Sequence, residues 1–156
     1  MASPSLVNLV TALEYSDVGW RVLPLYGVVP AHAGFICECN KGASCHSPGK
    51  HPRISDWTRL ATTSEQQIRQ WWSDYPMSNI GIATGIDSGI VVLDIDPKSG
   101  GVNSMNKIVA EHGQLPNGLV VQTGSGGWHY YFKHPGGRLG NVQGSGAVAS
   151  HIGAGL

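Results

Sequence analysis

The stretch Val91, Val92, Leu93, Asp94, Ile95, Asp96 constrains this chain more than any other. A short apolar run bounded by glycine reads as a buried strand, and this one ends in two carboxylates. Side chains alternate along a strand, so Asp94 and Asp96 point to the same face, about 7 Å apart. Two anions so placed repel each other unless a cation sits between them. A pocket of carboxylate oxygens suits Mg²⁺ or Mn²⁺, ions that usually also hold substrate phosphates.

Further along, Gly124, Ser125, Gly126 and Gly127 read as a turn followed by a strand that carries His129. Glycine turns let backbone N–H groups approach an anion closely, which makes His129 a candidate phosphate contact. Carboxylates for a metal and an imidazole for phosphate form a nucleotidyl-transfer constellation. Lys50, Arg53, Lys98, Lys133 and Arg138 could form a basic rim around it.

A second chemical feature is the cluster Cys37, Cys39, Cys45, followed by His46 and His51. Three thiolates and one imidazole make a closed tetrahedral Zn²⁺ site. His51 is the better fourth ligand, because five residues separate it from Cys45 and let the chain wrap back. His46 adjoins Cys45 and would chelate the same metal only with strain. A site with no open position is structural, and it would pin a loop with little core of its own. Three clustered cysteines favour a reduced compartment and metal binding over a disulfide framework.

The chain of 156 residues is long enough for one domain with a real core. Lys+Arg and Asp+Glu balance at 10 each, so net charge gives no bulk signal for nucleic acid. The first ten residues lack a basic region followed by a long apolar run, and no run is long enough to span a membrane. Leu6, Leu9, Val10 and Leu13 predict an amphipathic helix ending near Gly19, followed by a strand over 21–25. Residues 27–53 read as an irregular loop anchored by the cysteines. Capping boxes at Thr62/Glu65 and Thr63/Gln66 predict a helix reaching about Asp74, with Ile68, Trp71 and Trp72 inward. Residues 79–84 and 89–94 read as a hairpin joined through Asp87. A helix over 102–112 and a hairpin of 118–123 with 128–133 follow. The order predicts an α+β fold with helices packed on a mixed or antiparallel sheet. From Gly136 the chain is rich in Gly, Ala and Ser, and it stops in what reads as the approach to another strand. A C-terminally truncated single domain is the expectation.

Taken in order, these pieces resemble the bifunctional primase-polymerase (prim-pol) domain of the archaeo-eukaryotic primase superfamily. The matching residues are the cysteine loop running into Gly49, Lys50, His51 and Pro52; Trp57; Ala61 to Thr63; Ile68 to Trp72; Pro76; Asn79 to Ile82 with Thr84 and Gly85; Asp94 and Asp96; Gly100 and Gly101; Leu115 and Pro116; and Thr123 to Gly127 with His129. The resemblance implies a catalytic domain with an RRM-like core and a zinc-binding insertion at 27–53. It makes Asp94 and Asp96 ligands of catalytic Mg²⁺ or Mn²⁺, and His129 the contact for the incoming nucleotide's phosphates. Family members often carry Ser two residues before that His. Here Gly127 stands there, so Ser125 or the amides of Gly126 and Gly127 would serve, with Lys50 and Arg53 nearby. A third acid is expected on a later strand, and none follows Glu111, which places it beyond Leu156 and makes residues 1–156 alone weak or inactive.

The resulting expectation is a template-directed DNA primase-polymerase of a phage or plasmid replication protein. It would act in the cytoplasm of a bacterial host on DNA template and primer with dNTP or NTP, with a C-terminal helicase domain or partner and no membrane. The rival readings are a non-catalytic, zinc-stabilised DNA- or nucleotide-binding module and a metal-dependent phosphoesterase.

Overall fold

The computed structural model describes residues 4–32 and 34–141. They divide at Ser88/Gly89 into two compact units. Both are α+β with small antiparallel sheets, so the described strands form three separate sheets rather than the one expected from the sequence.

The first unit contains α1 (Pro4–Asp17), β1 (Arg21–Leu25), β2 (Val28–Ala31), β3 (Gly34–Cys37), α2 (Trp57–Leu60), α3 (Glu65–Asp74) and β4 (Asn79–Ala83). Strand β1 pairs antiparallel with β4, from Arg21 opposite Ala83 to Leu25 opposite Asn79. The middle of β1 is buried on both faces. Val22 packs with Ala12, Ile68, Trp71 and Trp72, joined by Leu9 and Leu13 of α1 and by Ile80 and Ile82 of β4. Leu23, of opposite parity, meets Ala61 and Ala83.

The second edge of β1 is covered by irregular chain. Val22 exchanges backbone hydrogen bonds with Thr62 at 2.9 and 3.0 Å. The Arg53 amide donates to the Pro24 carbonyl, and the Tyr26 amide to that of His51, both at 3.0 Å. Between those contacts the chain leaves β1 to form α2. The Arg21 guanidinium receives its end, donating to the carbonyls of Thr58, Arg59 and Ala61. Basic side chains favour helix C-termini because the last carbonyls lack partners. Arg21 also pairs with Asp87 at 2.6 Å, which accounts for that acid.

Three sequence expectations change in this unit. Residues 27–53 are not wholly irregular: β2 and β3 pair from Val28 opposite Cys37 to Ala31 opposite Gly34, and a 3₁₀ turn follows at Gly42–Ser44. Helix α3 is capped by Ser64, whose hydroxyl accepts from the Gln67 amide, and not by Thr62 or Thr63. Thr62 is held in its bridge to Val22, and its hydroxyl takes the Ser64 amide. Finally, β4 and the next strand are not a hairpin. A 3₁₀ turn at Ile86–Ser88 separates them, and each pairs elsewhere.

The second unit contains β5 (Ile90–Ile95), α4 (Gly101–His112), β6 (Val120–Gln122) and β7 (Trp128–Lys133). The sheet order is β5-β7-β6, with β7 antiparallel to both neighbours. Strands β5 and β6 are therefore parallel, with β7 inserted between them: a split β-α-β unit. Helix α4 starts after Gly100, whose φ of 84° is left-handed, and stops at Gly113. It contacts β5. The expected further strand near the chain's end lies outside the described residues. No helix among the described residues is long and apolar enough to cross a membrane.

Ile68 is fully buried at the centre of the first unit's core. Ile68→Ala removes methylene contacts that the two flanking tryptophans cannot replace, so it should lower stability by about 2–5 kcal/mol. A urea titration reads this as a fall in midpoint with little change in slope.

Candidate functional site

The cysteine loop gathers as its spacing suggests. The ligand atoms of Cys37, Cys39, Cys45 and His51 all lie within 4.8 Å of one another. His51 Nε2 is 3.5 Å from the sulfurs of both Cys37 and Cys45, whereas His46 is exposed and outside the cluster. Cys37 and Cys39 are buried. A soft, closed Cys₃His set of this size fits a tetrahedral ion such as zinc.

Each ligand is placed by a different element. Cys37 ends β3, opposite Val28. Cys39 sits in the following turn, its carbonyl accepting from the Gly42 amide at 3.0 Å. His51 is tied to β1 through Tyr26, both by backbone and by ring contact at 4.6 Å between centroids.

Burial pushes the Cys37 thiol up, but backbone hydrogen bonds at Cys39 and Gly49 and contacts with the His51 and Cys39 side chains outweigh it. They bring Cys37 down from the ordinary 9.0 to about 6. For Cys45, a backbone hydrogen bond from Ser47 favours the thiolate, yet burial and the sulfurs of Cys39 and Cys37 together hold it above the ordinary value. One thiolate is ready-made for a cation, and another is formed at the metal's expense.

The sequence reading missed what anchors this loop. Glu38, between two ligands, accepts the Gly27 amide at 3.0 Å and pairs with the Arg53 guanidinium. That guanidinium lies over two rings, 4.5 Å from the Tyr26 centroid and 4.6 Å from that of Tyr75. Tyr75, Arg53, Tyr26 and His51 thus form a continuous run of cation and ring contacts that ends at the cysteine cluster. Arg53, expected at the basic rim, is a partly buried, ion-paired cation here, with a side chain 14% exposed. An acid lodged in the Cys-x-Cys step is the signal that could have found its partner. Lys50 remains at the surface.

The second unit assembles the other constellation. Asp94 lies directly opposite His129 in the β5–β7 register. Asp94 Oδ1 and His129 Nε2 are 3.4 Å apart, with side chains 64% and 36% exposed. Ile95, of opposite parity, is buried. Asp96 is one residue past the strand, but its backbone stays extended (φ −95°, ψ 110°), so the alternation continues. Its carboxylate is occupied locally: Oδ1 accepts the Lys98 amide at 3.0 Å and Oδ2 the Ser99 hydroxyl at 2.9 Å. Among the described residues, Asp94, Asp96 and His129 do not close into a cluster like that of the cysteines.

The glycine turn abuts this acid segment. A Cβ on Gly127 would lie 2.4 Å from the Ile95 carbonyl oxygen and 3.1 Å from Pro97 Cδ. No side chain fits, so any residue larger than glycine is excluded here by contact with the acid strand's own backbone. Thr123, given no separate role in the sequence reading, organises the turn instead. Its hydroxyl takes the Gly127 amide at 2.9 Å and meets the Ser125 hydroxyl at 3.0 Å. Its carbonyl takes the Gly126 amide, at a left-handed φ of 87°. The Gly124 and Ser125 amides at the exposed tip have no partner among the described residues. Lys98 and Arg138 are exposed, and Lys133 lies farther along β7.

With this geometry in view, residues 12–152 match the description Prim-Pol, bifunctional DNA primase/polymerase, N-terminal. The chain belongs to the Prim-Pol family. Its function is thereby of primase/polymerase type at family level, and nucleotidyl transfer is the family's chemistry. No curated protein and no solved structure matches the chain. The Prim-Pol match runs across the Ser88/Gly89 division, so both units are part of the family's conserved extent.

One equivalent of zinc should copurify with this Prim-Pol chain, measured by elemental analysis. Cys37→Ser and His51→Ala should each lower occupancy, and His46→Ala should not. Arg53→Leu should weaken metal retention too, because it unpairs Glu38 and removes the cation that Tyr26 and Tyr75 contact. Protons compete for thiolate ligands, so affinity should already fall with pH through the neutral range, where Cys45 must lose a proton to bind, and fall more steeply below about 6, where the Cys37 thiolate is lost as well.

Proposed function

We propose that this chain is the catalytic domain of a DNA primase-polymerase of the phage or plasmid replication type, working inside a bacterial host. It would join dNTPs or NTPs on a DNA template, alongside a helicase domain or partner. The observation that carries the reading is the pairing of Asp94 with His129 across β5 and β7, at the foot of a glycine turn with two unpaired amides. An RRM-like ancestry for the second unit is supported by its β-α-β-β order, with the last strand in the middle of the sheet. One domain spanning both units is supported by the extent of the family match.

Asp94 and Asp96 are the oxygen donors that would hold Mg²⁺ or Mn²⁺, hard ions that prefer such ligands. When bound, such ions activate the primer 3′-OH and stabilise the leaving pyrophosphate. Asp94 is open for this role. Asp96 accepts one hydrogen bond on each oxygen, from Lys98 and Ser99, and each oxygen keeps a lone pair for a cation. His129 would donate to a phosphate oxygen of the incoming nucleotide. The Gly124 and Ser125 amides and the Ser125 hydroxyl would contribute further donors. Gly126 and Gly127 shape the turn, with their own amides already spent on Thr123. The third acid that the resemblance implies is not among the described residues after Glu111.

That Asp94, Asp96 and His129 do not close into a ligand cluster among the described residues favours one other reading, a zinc-stabilised module that binds nucleotide or DNA without catalysis. Primer extension separates the possibilities. The protein carrying this domain, given template, primer, dNTPs and Mg²⁺ or Mn²⁺, should lengthen the primer. Asp94→Asn should lower the rate by at least about 100-fold, an order expected when a transition-state electrostatic contact is lost, while leaving the thermal midpoint near that of the parent. Asp96→Ala should in addition cost about 0.5–2 kcal/mol of stability, because it deletes a cap. Binding without extension would establish the non-catalytic module, and degradation of DNA without dNTPs would establish a phosphoesterase.

A further inference from the structure

Strand alternation carries the site past His129. Residues 129, 131 and 133 of β7 share one face, and the rings of His129 and Tyr131 stand 6.4 Å apart, tilted by 58°. On β5 the register partners are Asp94, Val92 and Ile90 in turn. The face is therefore a ladder of three rungs, spaced about 7 Å apart. The first rung is an acid and an imidazole. The second is an aliphatic residue and a phenol. The third is an aliphatic residue and the exposed ammonium of Lys133.

A nucleotide has a polyanionic end and a flat, weakly polar end. On the turn side of the first rung lie the Gly124 and Ser125 amides and the Asp96 segment, which offer phosphate and cation chemistry and no π surface. Phosphates placed there leave the nucleoside one direction along β7, toward the second rung. Trp128 and Tyr130 have the opposite parity and face away. Tyr131 is half-buried, with part of its surface open.

We propose that Tyr131, with Val92 beside it, is the contact for the nucleoside part of the incoming nucleotide, while the triphosphate lies at His129 and the glycine turn. This rests on the polymerase reading for the identity of the ligand. Stacking of a base on an aromatic side chain is worth about 1–3 kcal/mol, or roughly 5- to 150-fold in affinity. Tyr131 could alternatively do no more than steady the His129 ring, and the two roles part cleanly on the choice of probe.

The test compares equilibrium binding of dATP and of inorganic tripolyphosphate, both with Mg²⁺, to the whole chain and its variants. Tripolyphosphate reports on the phosphate end alone. Tyr131→Leu should weaken dATP at least fivefold and leave tripolyphosphate within twofold, and Tyr131→Phe should retain both. Equal loss of both probes would reduce Tyr131 to a positioning residue for His129 and overturn the proposal. Unchanged dATP binding in Tyr131→Leu, or no dATP binding by the parent chain, would overturn it as well. If Tyr131→Leu does not fold, fluorotyrosine labelling of the parent chain decides. The ¹⁹F resonance that disappears in Tyr131→Phe should move with dATP and not with tripolyphosphate, and a resonance unmoved by dATP would overturn the proposal. The expected binding pattern without primer extension would refute the polymerase reading and leave the Tyr131 contact standing.

Discussion

The first unit depends on the double pairing of β1. Five residues, Arg21–Leu25, hold β4 along one edge and the chain from His51 to Thr62 along the other. Burial of both faces follows, because helices α1 and α3 cover the Val22 side while Ala61 and Ala83 close on Leu23. The cysteine loop inherits its position from the same strand. His51 is bonded to Tyr26 at the end of β1 and Arg53 to Pro24 within it; His51 belongs to the Cys₃His cluster, and Arg53 grips Glu38 between two of its cysteines. The cysteine cluster and β1 are therefore joined through a partly buried ion pair. Such a pair is costly to break from one side, because the remaining charge is left without compensation.

The second unit works by register. With Asp94 fixed opposite His129, the parity of both strands decides which side chains can serve a common ligand. A slip of one residue would bring Trp128 and Ile95 to that face and leave an apolar surface. Gly127 helps to lock the register, since its lack of a side chain lets the turn rest against the Ile95 carbonyl. The same close approach leaves no room for a side chain at this position, so the hydroxyls of the turn sit on Thr123 and Ser125 instead.

Much of this was legible in the chain itself. The three long helices, β1, and the β6–β7 hairpin announced themselves by periodicity and glycine punctuation. So did the choice of His51 over His46, which needed only the reach of the intervening residues. The pairing of β4 and β5 was misread, because two apolar runs separated by a glycine-flanked turn look alike whether they pair with each other or with distant strands. Residues 27–53 hid a hairpin for a different reason. Its strands are short, one contains Pro30, and only its Cys37 end is buried, so it carries little hydrophobic alternation to read. Arg53 was placed among solvent-facing cations because charge alone does not reveal a partner fifteen residues back in sequence. The carboxylate of Asp96 illustrates the limit of parity arguments: the face was legible, but not the local amide and hydroxyl that occupy both oxygens.

Pro24 sits where the neighbouring chain can leave β1 at no cost in hydrogen bonds. A proline inside a buried strand ordinarily forfeits a ladder bond. Here the missing donor faces the edge where the neighbouring chain turns away after Arg53 and returns only at Thr62. No N–H of β1 is stranded by that departure. The excursion through residues 55–60, largely exposed to solvent, thus asks no ladder bond of β1 and is moored to that strand by the Arg21 side chain.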